Sequence, residues 1–257
     1  MKHNPIFWAY NMYGHKVIRN FEIENIEKNM TVQRYWVNAD GLDNNNYMYY
    51  ENFQLFDQFD SNGCEYERYG SIIEEGDLVV DIGANIGMFA RRALERGCSK
   101  VICIEPTTKA FSCLIDNIPY DKSDFYKFAI GYEEGFGDIK VKYTTLGGST
   151  MFKDNDTFDK IEKVSVYTIN HLWEVGIFPD NIDFIKIDTE GGEIPIMSQI
   201  TDENLLRIKK GSLEYHLQTG GSNEHYSEFL NRLSKLGYNH FTNHYNNGDR
   251  LLNFWKT

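Results

Sequence analysis

The stretch "GDLVVDIGANIGMF", Gly76 to Phe89, carries the first structural signal of this chain. A run of apolar residues leads into Asp81, two glycines follow at Gly83 and Gly87, and an amphipathic helix pattern begins there. Glycine lets a ligand approach the backbone closely, and the start of a helix directs free N–H groups at an anionic group. The stretch therefore predicts a strand, a turn and a helix that bind a nucleotide-like cofactor or an amino-acid carboxylate.

Strand and helix patterns alternate from residue 66 onward, which predicts an α/β domain built on a mostly parallel sheet with helices on both faces. "KVICIEP" and "DFYKFAI" are predicted as the second and third strands, and the helix "TKAFSCLIDNI" between them is capped by Thr107 or Thr108. "GFGDIKVKYTT" and "KIEKVSVYTI" alternate as exposed antiparallel strands do. "DFIKI" and "GSLEYH" are later strands, and "YNHFTNHYN" with "LLNFW" predicts a closing hairpin.

Residues 1–65 differ in composition, because they are rich in Asn, Tyr, Phe and Trp and show only one helix-like pattern, toward Phe59. We interpret them as an amino-terminal extension and residues 66–257 as the main domain. Aromatic side chains bury well, so the extension is expected to pack on the main domain or to form a homodimer. The alternative is that its Tyr, Trp and Asn side chains bind a sugar.

The charge of the chain limits its partners. A formal net charge of −12 and a pI near 5.0 argue against nucleic acid, because polyanion binding needs clustered Lys and Arg. The first residues lack the apolar run of a signal peptide, and no run is long enough to span a membrane, so a cytoplasmic location is expected. The four cysteines are then reduced thiols. Neither they nor the histidines show the spacing of a metal site, so no metal is expected.

Polar residues at the predicted strand ends separate two possible cofactors. Ligands of open α/β sheets bind at the carboxyl ends of the strands, and Glu105 ends the second strand, where it can accept both hydroxyls of an adenosine ribose. That position suits NAD and S-adenosylmethionine equally. The dinucleotide fingerprint G-x-G-x-x-G is incomplete, with glycines at Gly83 and Gly87 only. Asp81 would repel a pyrophosphate but could accept from the ammonium of a methionine moiety, which favours S-adenosylmethionine.

Five motifs of this chain resemble those of the FkbM family of S-adenosylmethionine-dependent methyltransferases: "VVDIGANIGMF", "VICIEP", "FAIGYEEG", "VYTINHL" and "IDFIKIDTEGGE". The resemblance runs from about residue 66 to about residue 216. It implies a class I methyltransferase fold, which is a Rossmann-like, seven-stranded sheet with a reversed terminal hairpin. It also implies S-adenosyl-L-methionine as the cofactor and O-methylation, often of a hydroxyl on a sugar or a glycosylated natural product.

The same resemblance implies a set of cofactor contacts. The cofactor would lie over the turn after the first strand, Glu105 would bind the ribose hydroxyls, and Ala129 would lie near the adenine. The implied residues are Asp81, Gly83, Asn85, Gly87, Glu105, Pro106 and Ala129, with Asp188 across the cleft.

Acidic residues and a histidine near the later strand ends are the candidate catalytic groups, because a sugar hydroxyl is a weak nucleophile that a general base helps. Asp188 is the first candidate, as the base or as a carboxylate that orients the acceptor or the sulfonium. Glu190 follows it on the same turn. Glu214 and His216 would share one strand face as orienting group and base, although a purely structural histidine is an equal alternative.

Three residues are candidates for acceptor binding: Ser149, Glu193 and His216. For Ser149, a plain turn is an equal alternative. For Glu193, the alternative is a carboxylate that stabilises the start of a helix. Lys186 shares a strand face with Asp188 and is expected to pair with a neighbouring carboxylate.

Three classes of function are compatible with these patterns. The first is an O-methyltransferase acting on a small-molecule or glycan acceptor. An NAD-dependent oxidoreductase would share the strand–turn–helix unit and Glu105. A non-catalytic Rossmann-like binding module is expected to have lost Asp81, Glu105 or Asp188, and all three are present.

Overall fold

The computed structural model describes residues 64–141, 149–151, 158, 160–245 and 248–256, and the backbone of residues 9–10 and 16–17. In the amino-terminal extension the described backbone forms a short antiparallel pair, β1 (Ala9–Tyr10) and β2 (Lys16–Val17). The helix-like pattern predicted toward Phe59 lies outside the described residues. None of the described helices is long and apolar enough to cross a bilayer.

The main domain alternates strands and helices along the chain. In chain order its elements are β3 (Leu78–Ile82), α1 (Met88–Glu95), β4 (Lys100–Ile104), α2 (Thr108–Asn117), β5 (Ser123–Tyr126), β6 (Ala129–Ile130), β7 (Gly135–Val141), β8 (Lys160–Tyr167), α3 (His171–Glu174), β9 (Ile182–Ile187), α4 (Glu193–Gln199), α5 (Asp202–Leu206), β10 (Ile208–Tyr215), α6 (Asn223–Lys235), β11 (Asn239–His244) and β12 (Arg250–Trp255).

Seven strands form the central sheet in the order β11-β12-β10-β9-β3-β4-β5. The pairs β10–β9, β9–β3, β3–β4 and β4–β5 are parallel, and β12 is antiparallel to both β10 and β11. This is the class I methyltransferase topology with its reversed terminal hairpin, so the predicted fold class is confirmed. The strand order reverses between β3 and β9, which places a ligand-binding crevice at the carboxyl ends of these two strands.

Alternate residues of the central strands pack against helices on opposite faces of the sheet. Val79 belongs to a cluster with Phe89 of α1, whereas Val80 belongs to a cluster with Ile196 of α4 and Phe229 of α6. Burial of each such side chain contributes about 1.5–3 kcal/mol. The continuous apolar run of β3 is therefore explained by helices on both faces, as predicted.

The segment "DFYKFAI" differs from the predicted single strand. Its first part forms β5 beside β4. Because β4 ends at Ile104, the pairing stops there, and its last hydrogen bond runs from the Glu105 N–H to the Tyr126 carbonyl at 3.1 Å. The chain therefore leaves the central sheet, and Ala129–Ile130 pairs with β8 in a separate sheet of order β6-β8-β7. The predicted antiparallel pair in this region, β7 with β8, is confirmed.

A segment just before β3 is held against the terminal hairpin. The fully buried Asn253 of β12 accepts from the Arg68 N–H at 3.2 Å and donates to the Glu65 carbonyl at 3.2 Å. The buried Glu67 carboxylate pairs with Arg92 of α1. These contacts hold Tyr66, between Glu65 and Glu67, in one position at the ends of β9 and β10.

The ends of β3 and β9 approach each other at Gly83. The Asp188 N–H donates to the Ile82 carbonyl at 3.0 Å, and Gly83 has a φ of 77°. A methyl group built on Gly83 would lie 1.7 Å from the Asp188 carbonyl oxygen. Glycine is therefore required here both for the left-handed backbone and for the close approach of Asp188.

We expect Gly83→Ala to lower the free energy of unfolding by more than about 2 kcal/mol, because overlap with Asp188 adds to the cost of a left-handed alanine. Gly76→Ala is the matched control, since Gly76 has a φ of 88° but nothing within 4 Å of the added methyl group. Its cost should be about 1–2 kcal/mol, which is that of the left-handed backbone alone. Urea unfolding of both variants measures the difference, and equal losses would contradict the steric argument.

Candidate active site

A cleft opens at the carboxyl ends of β3, β4 and β9 and encloses about 890 Å³ including its mouth. Its position at the carboxyl ends of the strands is where ligands of open α/β sheets bind. The residues predicted for a site fall into two groups. The cleft wall contains Gly83, Asn85, Glu105, Pro106, Ala129, Ser149, Asp188 and Glu190, whereas Asp81, Gly87, Glu193, Glu214 and His216 do not line it.

Glu105 is fixed at one end of the cleft by three hydrogen bonds. One carboxylate oxygen accepts from the Asn85 N–H at 3.0 Å, and the other accepts from the Thr107 N–H at 2.8 Å and the Thr107 hydroxyl at 2.5 Å. Burial raises the pKa of Glu105, while these hydrogen bonds stabilise its charged form. Thr107 occupies the N-cap position of α2, as predicted, but its hydroxyl does not cap the helix. It instead orients the carboxylate that the sequence assigns to a ribose.

Asp81 is fully buried below the turn that follows β3. Its closest charged partner is Lys186 of β9, with 3.4 Å between Asp81 Oδ1 and Lys186 Nζ. The same ammonium donates to the Gly83 carbonyl at 2.9 Å and lies 3.2 Å from Asp188 Oδ2. The burial of Asp81 argues against the direct ammonium contact predicted from the sequence. Asp81 holds Lys186, and through it the turn.

Gly87 does not line the cleft and instead shapes the turn that follows β3. Its φ is 91°, and an added methyl group would lie 2.8–2.9 Å from the side chains of Ile118 and Leu114. This glycine lets α1 begin immediately after the turn and pack closely on α2.

His216 has a different partner from the one predicted. Its Nδ1 lies 2.7 Å from Glu193 Oε1, and its backbone N–H donates to the same oxygen at 3.0 Å. Glu214 is more distant, with 3.7 Å between Glu214 Oε1 and His216 Nε2. Glu193 reaches His216 because α4 packs against the end of β10. The predicted Glu214–His216 pair is therefore a secondary contact.

The full burial of the Glu193 side chain argues against its predicted contact with an acceptor. Its second carboxylate oxygen accepts from the Gly191 N–H and the Thr189 hydroxyl, both at 2.8 Å. Glu193 therefore stabilises the start of α4, which is the alternative considered from the sequence. His216 is 7% exposed and does not line the cleft, which argues against its direct contact with an acceptor.

The protonation states of the acidic groups differ widely. Burial, reinforced by the charge of Asp188, raises the pKa of Glu190 to about 8 and that of Glu214 to about 7. Burial would also raise the pKa of Asp188, but the positive charges of Lys186 and His216 hold it below its usual range. Near neutral pH, Asp188 is therefore ionised, whereas Glu190 and Glu214 carry protons for much of the time.

The pKa of His216 is raised to about 11. Burial would lower it, but the hydrogen bond to Glu193 and the nearby carboxylates outweigh burial. His216 is therefore protonated at neutral pH and supplies a positive charge next to Asp188 and Glu190.

Glu190 has an unusual backbone conformation, with a φ of 54°. The Thr150 hydroxyl donates to the Glu190 carbonyl at 2.5 Å and holds this conformation. Ser149, which precedes Thr150 in the sequence, also lines the cleft. A left-handed glutamate at a cleft wall is rare and indicates that its position matters for the site.

Tyr66 is a cleft residue that the sequence analysis missed. Its hydroxyl lies 2.6 Å from Glu214 Oε2 and 3.1 Å from Asp188 Oδ2, and its ring packs edge-on to Phe89 with 5.7 Å between centroids. Lys186 Nζ lies 5.5 Å from the centre of the same ring. No local motif marks this tyrosine, because its importance depends on contacts with distant strands.

Asp188, Glu214 and His216 each offer one ligand atom within 4.8 Å of the others, a spacing that a metal ion could bridge. The sequence pattern does not predict this grouping, because the three side chains meet only in the folded chain. Tyr66 and Lys186 already engage the oxygens of Asp188, and Tyr66 also engages Glu214. We therefore describe the group as a hydrogen-bonded network.

The family model described as "Methyltransferase FkbM domain" matches residues 81–239, well over half of the chain. A curated relative, the 31-O-demethyl-FK506 methyltransferase FkbM of Streptomyces tacrolimicus, is 28% identical over 202 residues, which cover 66% of this chain and 76% of the relative.

Among solved structures, the methyltransferase FkbM of Methylobacillus flagellatus KT aligns with a TM-score of 0.46 and 17% identity over 74% of this chain and 49% of that one. Fibrillarin from Aeropyrum pernix, solved with bound S-adenosyl-L-methionine, aligns with a TM-score of 0.40 and 10% identity over 71% and 67%. The family match confirms the resemblance found in the motifs: this chain belongs to the FkbM methyltransferase domain family and is an S-adenosyl-L-methionine-dependent methyltransferase.

Proposed function

We propose that this methyltransferase transfers its methyl group to a hydroxyl oxygen of an uncharged sugar, glycan or glycosylated small molecule. Gly83, Asn85, Glu105, Pro106 and Ala129 would hold the cofactor. The acceptor would bind on the side of Asp188, Glu190 and Ser149.

The charge of the cleft wall is the observation that carries this proposal. Glu105, Asp188 and Glu190 bring carboxyl groups, and Lys186 is the one Lys or Arg among the described lining residues. Lys186 is already paired with Asp81 and Asp188. Such a wall suits a sulfonium cofactor and a neutral hydroxyl. It disfavours a pyrophosphate or a phosphorylated acceptor, which would bring negative charge to carboxylates.

The choice of oxygen as the methyl acceptor has separate support. The relative from Streptomyces tacrolimicus is named for 31-O-demethyl-FK506, so that protein methylates an oxygen. In the present chain, Asp188 lines the cleft and is ionised near neutral pH, so it can accept a proton from a hydroxyl.

S-adenosyl-L-methionine supplies an activated methyl group for in-line transfer. The chain must hold the acceptor oxygen in line and remove its proton, and such positioning contributes several kcal/mol. Asp188 is our choice for the group that takes the proton. His216 is a poor base because its pKa of about 11 keeps it protonated. Its charge instead stabilises the ionised form of Asp188.

The boundary between residues 65 and 66 is retained as our proposal for the domain division. The second unit begins with Tyr66, which lines the acceptor side of the cleft. Limited proteolysis tests the division: a folded fragment that begins near residue 64 supports it.

The proposed acceptor class is tested by mass spectrometry of products from S-adenosyl-L-methionine and a panel of neutral sugars, amino sugars and sugar phosphates. A mass gain of one methyl group on neutral sugars, with chemical localisation to oxygen, is expected. Transfer to sugar phosphates alone, or to nitrogen alone, would overturn the proposal.

Glu105→Ala is expected to weaken the binding of S-adenosylhomocysteine by about tenfold to a hundredfold, because a charge-assisted hydrogen bond is worth about 1.5–3 kcal/mol. Isothermal titration calorimetry measures the change. Glu162→Ala is the matched control: Glu162 is also 6% exposed, but it accepts from Thr108 at the start of α2 and does not line the cleft. Equal loss of affinity in both variants would contradict the assignment of Glu105 to the ribose hydroxyls of the cofactor.

Asp188→Asn is expected to lower kcat by about a hundredfold or more, because a positioned general base contributes about 10²–10⁴ in rate. The affinity for S-adenosylhomocysteine should change by less than about fivefold. Asp183→Asn is the control on the same strand, since Asp183 accepts from the Leu78 N–H at the other end of β9. Wild-type turnover in Asp188→Asn would exclude Asp188 as the base.

A further inference from the structure

The hydroxyl of Tyr66 lies between two carboxyl groups, those of Asp188 and Glu214. It lies 2.6 Å from Glu214 Oε2 and 3.1 Å from Asp188 Oδ2. A phenol carries a single hydrogen, so it donates to one carboxyl group at a time and can accept from the other. The three groups therefore form a hydrogen-bonded chain in the order Asp188, Tyr66, Glu214.

This hydrogen-bonded chain leads from the cleft to a group that does not line it. Asp188 and Tyr66 line the cleft, whereas Glu214 does not. Both carboxyl side chains are 25% exposed, but Asp188 faces the cleft that a bound acceptor would fill, whereas Glu214 can still exchange a proton with water. A proton that Asp188 takes inside the cleft thus has a route outward through Tyr66.

We propose that Tyr66 relays the proton of the acceptor hydroxyl from Asp188 to Glu214; this inference rests on the proposed methyl transfer to oxygen. Asp188 takes the proton as the acceptor oxygen bonds to the methyl group and the sulfur–methyl bond breaks. Asp188 then gives its proton to the Tyr66 oxygen while Tyr66 gives its own to Glu214. Tyr66 stays neutral, Asp188 is again a carboxylate, and Glu214 releases one proton to water.

The electrostatic environment sets the direction of this transfer. The pKa of Asp188 lies below its usual range and that of Glu214 is raised to about 7, so the proton moves toward the stronger base. Burial and the two carboxyl groups raise the pKa of Tyr66 well above its usual value, so the phenol passes a proton without ionising. The charged and titratable groups that face Glu214 are Lys186 and Asp188 from β9 and its turn, Glu190, His216, Tyr66 and Tyr245.

The position of Tyr66 is built into the fold. Asn253 holds the backbone on both sides of it, at the Glu65 carbonyl and the Arg68 N–H. Tyr66 and Asn253 both lie outside residues 81–239, the range that matches the family model. The proposed relay thus depends on two parts of the chain that the family match does not include.

Tyr66→Phe tests the relay, because it removes the hydroxyl and keeps the ring that packs on Phe89. We expect kcat to fall by about tenfold and the midpoint of the acidic limb of the pH–rate profile to rise by about one unit, since Glu214 loses a donor that stabilises its charged form. Binding of S-adenosylhomocysteine should stay within about twofold. Tyr226→Phe is the control, since Tyr226 is buried and its hydroxyl bonds only to Thr242 among the described side chains. A Tyr66→Phe profile that superimposes on the wild type would overturn the relay.

A second readout does not require turnover. In ligand-free protein labelled with ¹³C at the glutamate carboxyl groups, the Glu214 resonance is assigned by its loss in Glu214→Gln. Its midpoint is expected near pH 7 and should rise by about one unit in Tyr66→Phe. An unmoved midpoint overturns the relay even if the wild type methylates a sugar. A shifted midpoint without methyl transfer to any acceptor overturns the proposed function and, with it, the catalytic role of the relay.

Discussion

The ammonium group of Lys186 connects the two halves of this site. It is buried in the central sheet, donates to the Gly83 carbonyl and lies within 3.4 Å of carboxylate oxygens of Asp81 and Asp188. Burial would lower the pKa of Lys186, but these carboxylates more than compensate and raise it, so the charge is permanent. Without this charge, the carboxylate of Asp81 would be buried without a compensating partner, which is one of the most costly arrangements in a protein interior. The β3–β9 ladder pairs the two strands, and this cation joins the polar groups at their carboxyl ends, where the cleft opens.

The two sides of the cleft use carboxyl groups in different ways. Glu105 is held by backbone and hydroxyl donors, which fix its orientation and leave it suited to recognition. On the other side, Asp188, Glu190 and Glu214 lie close enough to raise or lower each other's pKa, which suits proton transfer near neutral pH. The same residue type is therefore held in one orientation where donors surround it, and has its pKa shifted where other acids surround it.

Contacts between site residues can be predicted from the sequence where they follow from the direction of the strands. Asp81, Glu105 and Asp188 were predicted to meet because the carboxyl ends of parallel strands share one edge of a sheet. The partner of His216 was not predicted, because Glu193 reaches it from a neighbouring helix, a contact that alternation along β10 does not indicate. Tyr66 was missed for a similar reason, since its location depends on a buried asparagine near the other end of the chain. Local patterns thus predict elements and their ends, whereas side chains contributed by other elements appear only in the folded structure.

Glu190 is a residue of the cleft wall whose backbone conformation lowers the stability of the fold. A left-handed backbone at a non-glycine residue costs about 1 kcal/mol or more, and the Thr150 hydroxyl holds Glu190 in that conformation. Thermostabilisation guided by backbone geometry alone would select Glu190→Gly among its first substitutions, because glycine adopts this conformation without strain. That change would delete a carboxyl group from the cleft wall. An engineered version of this enzyme that must survive heating therefore has to gain its stability at sites remote from the cleft.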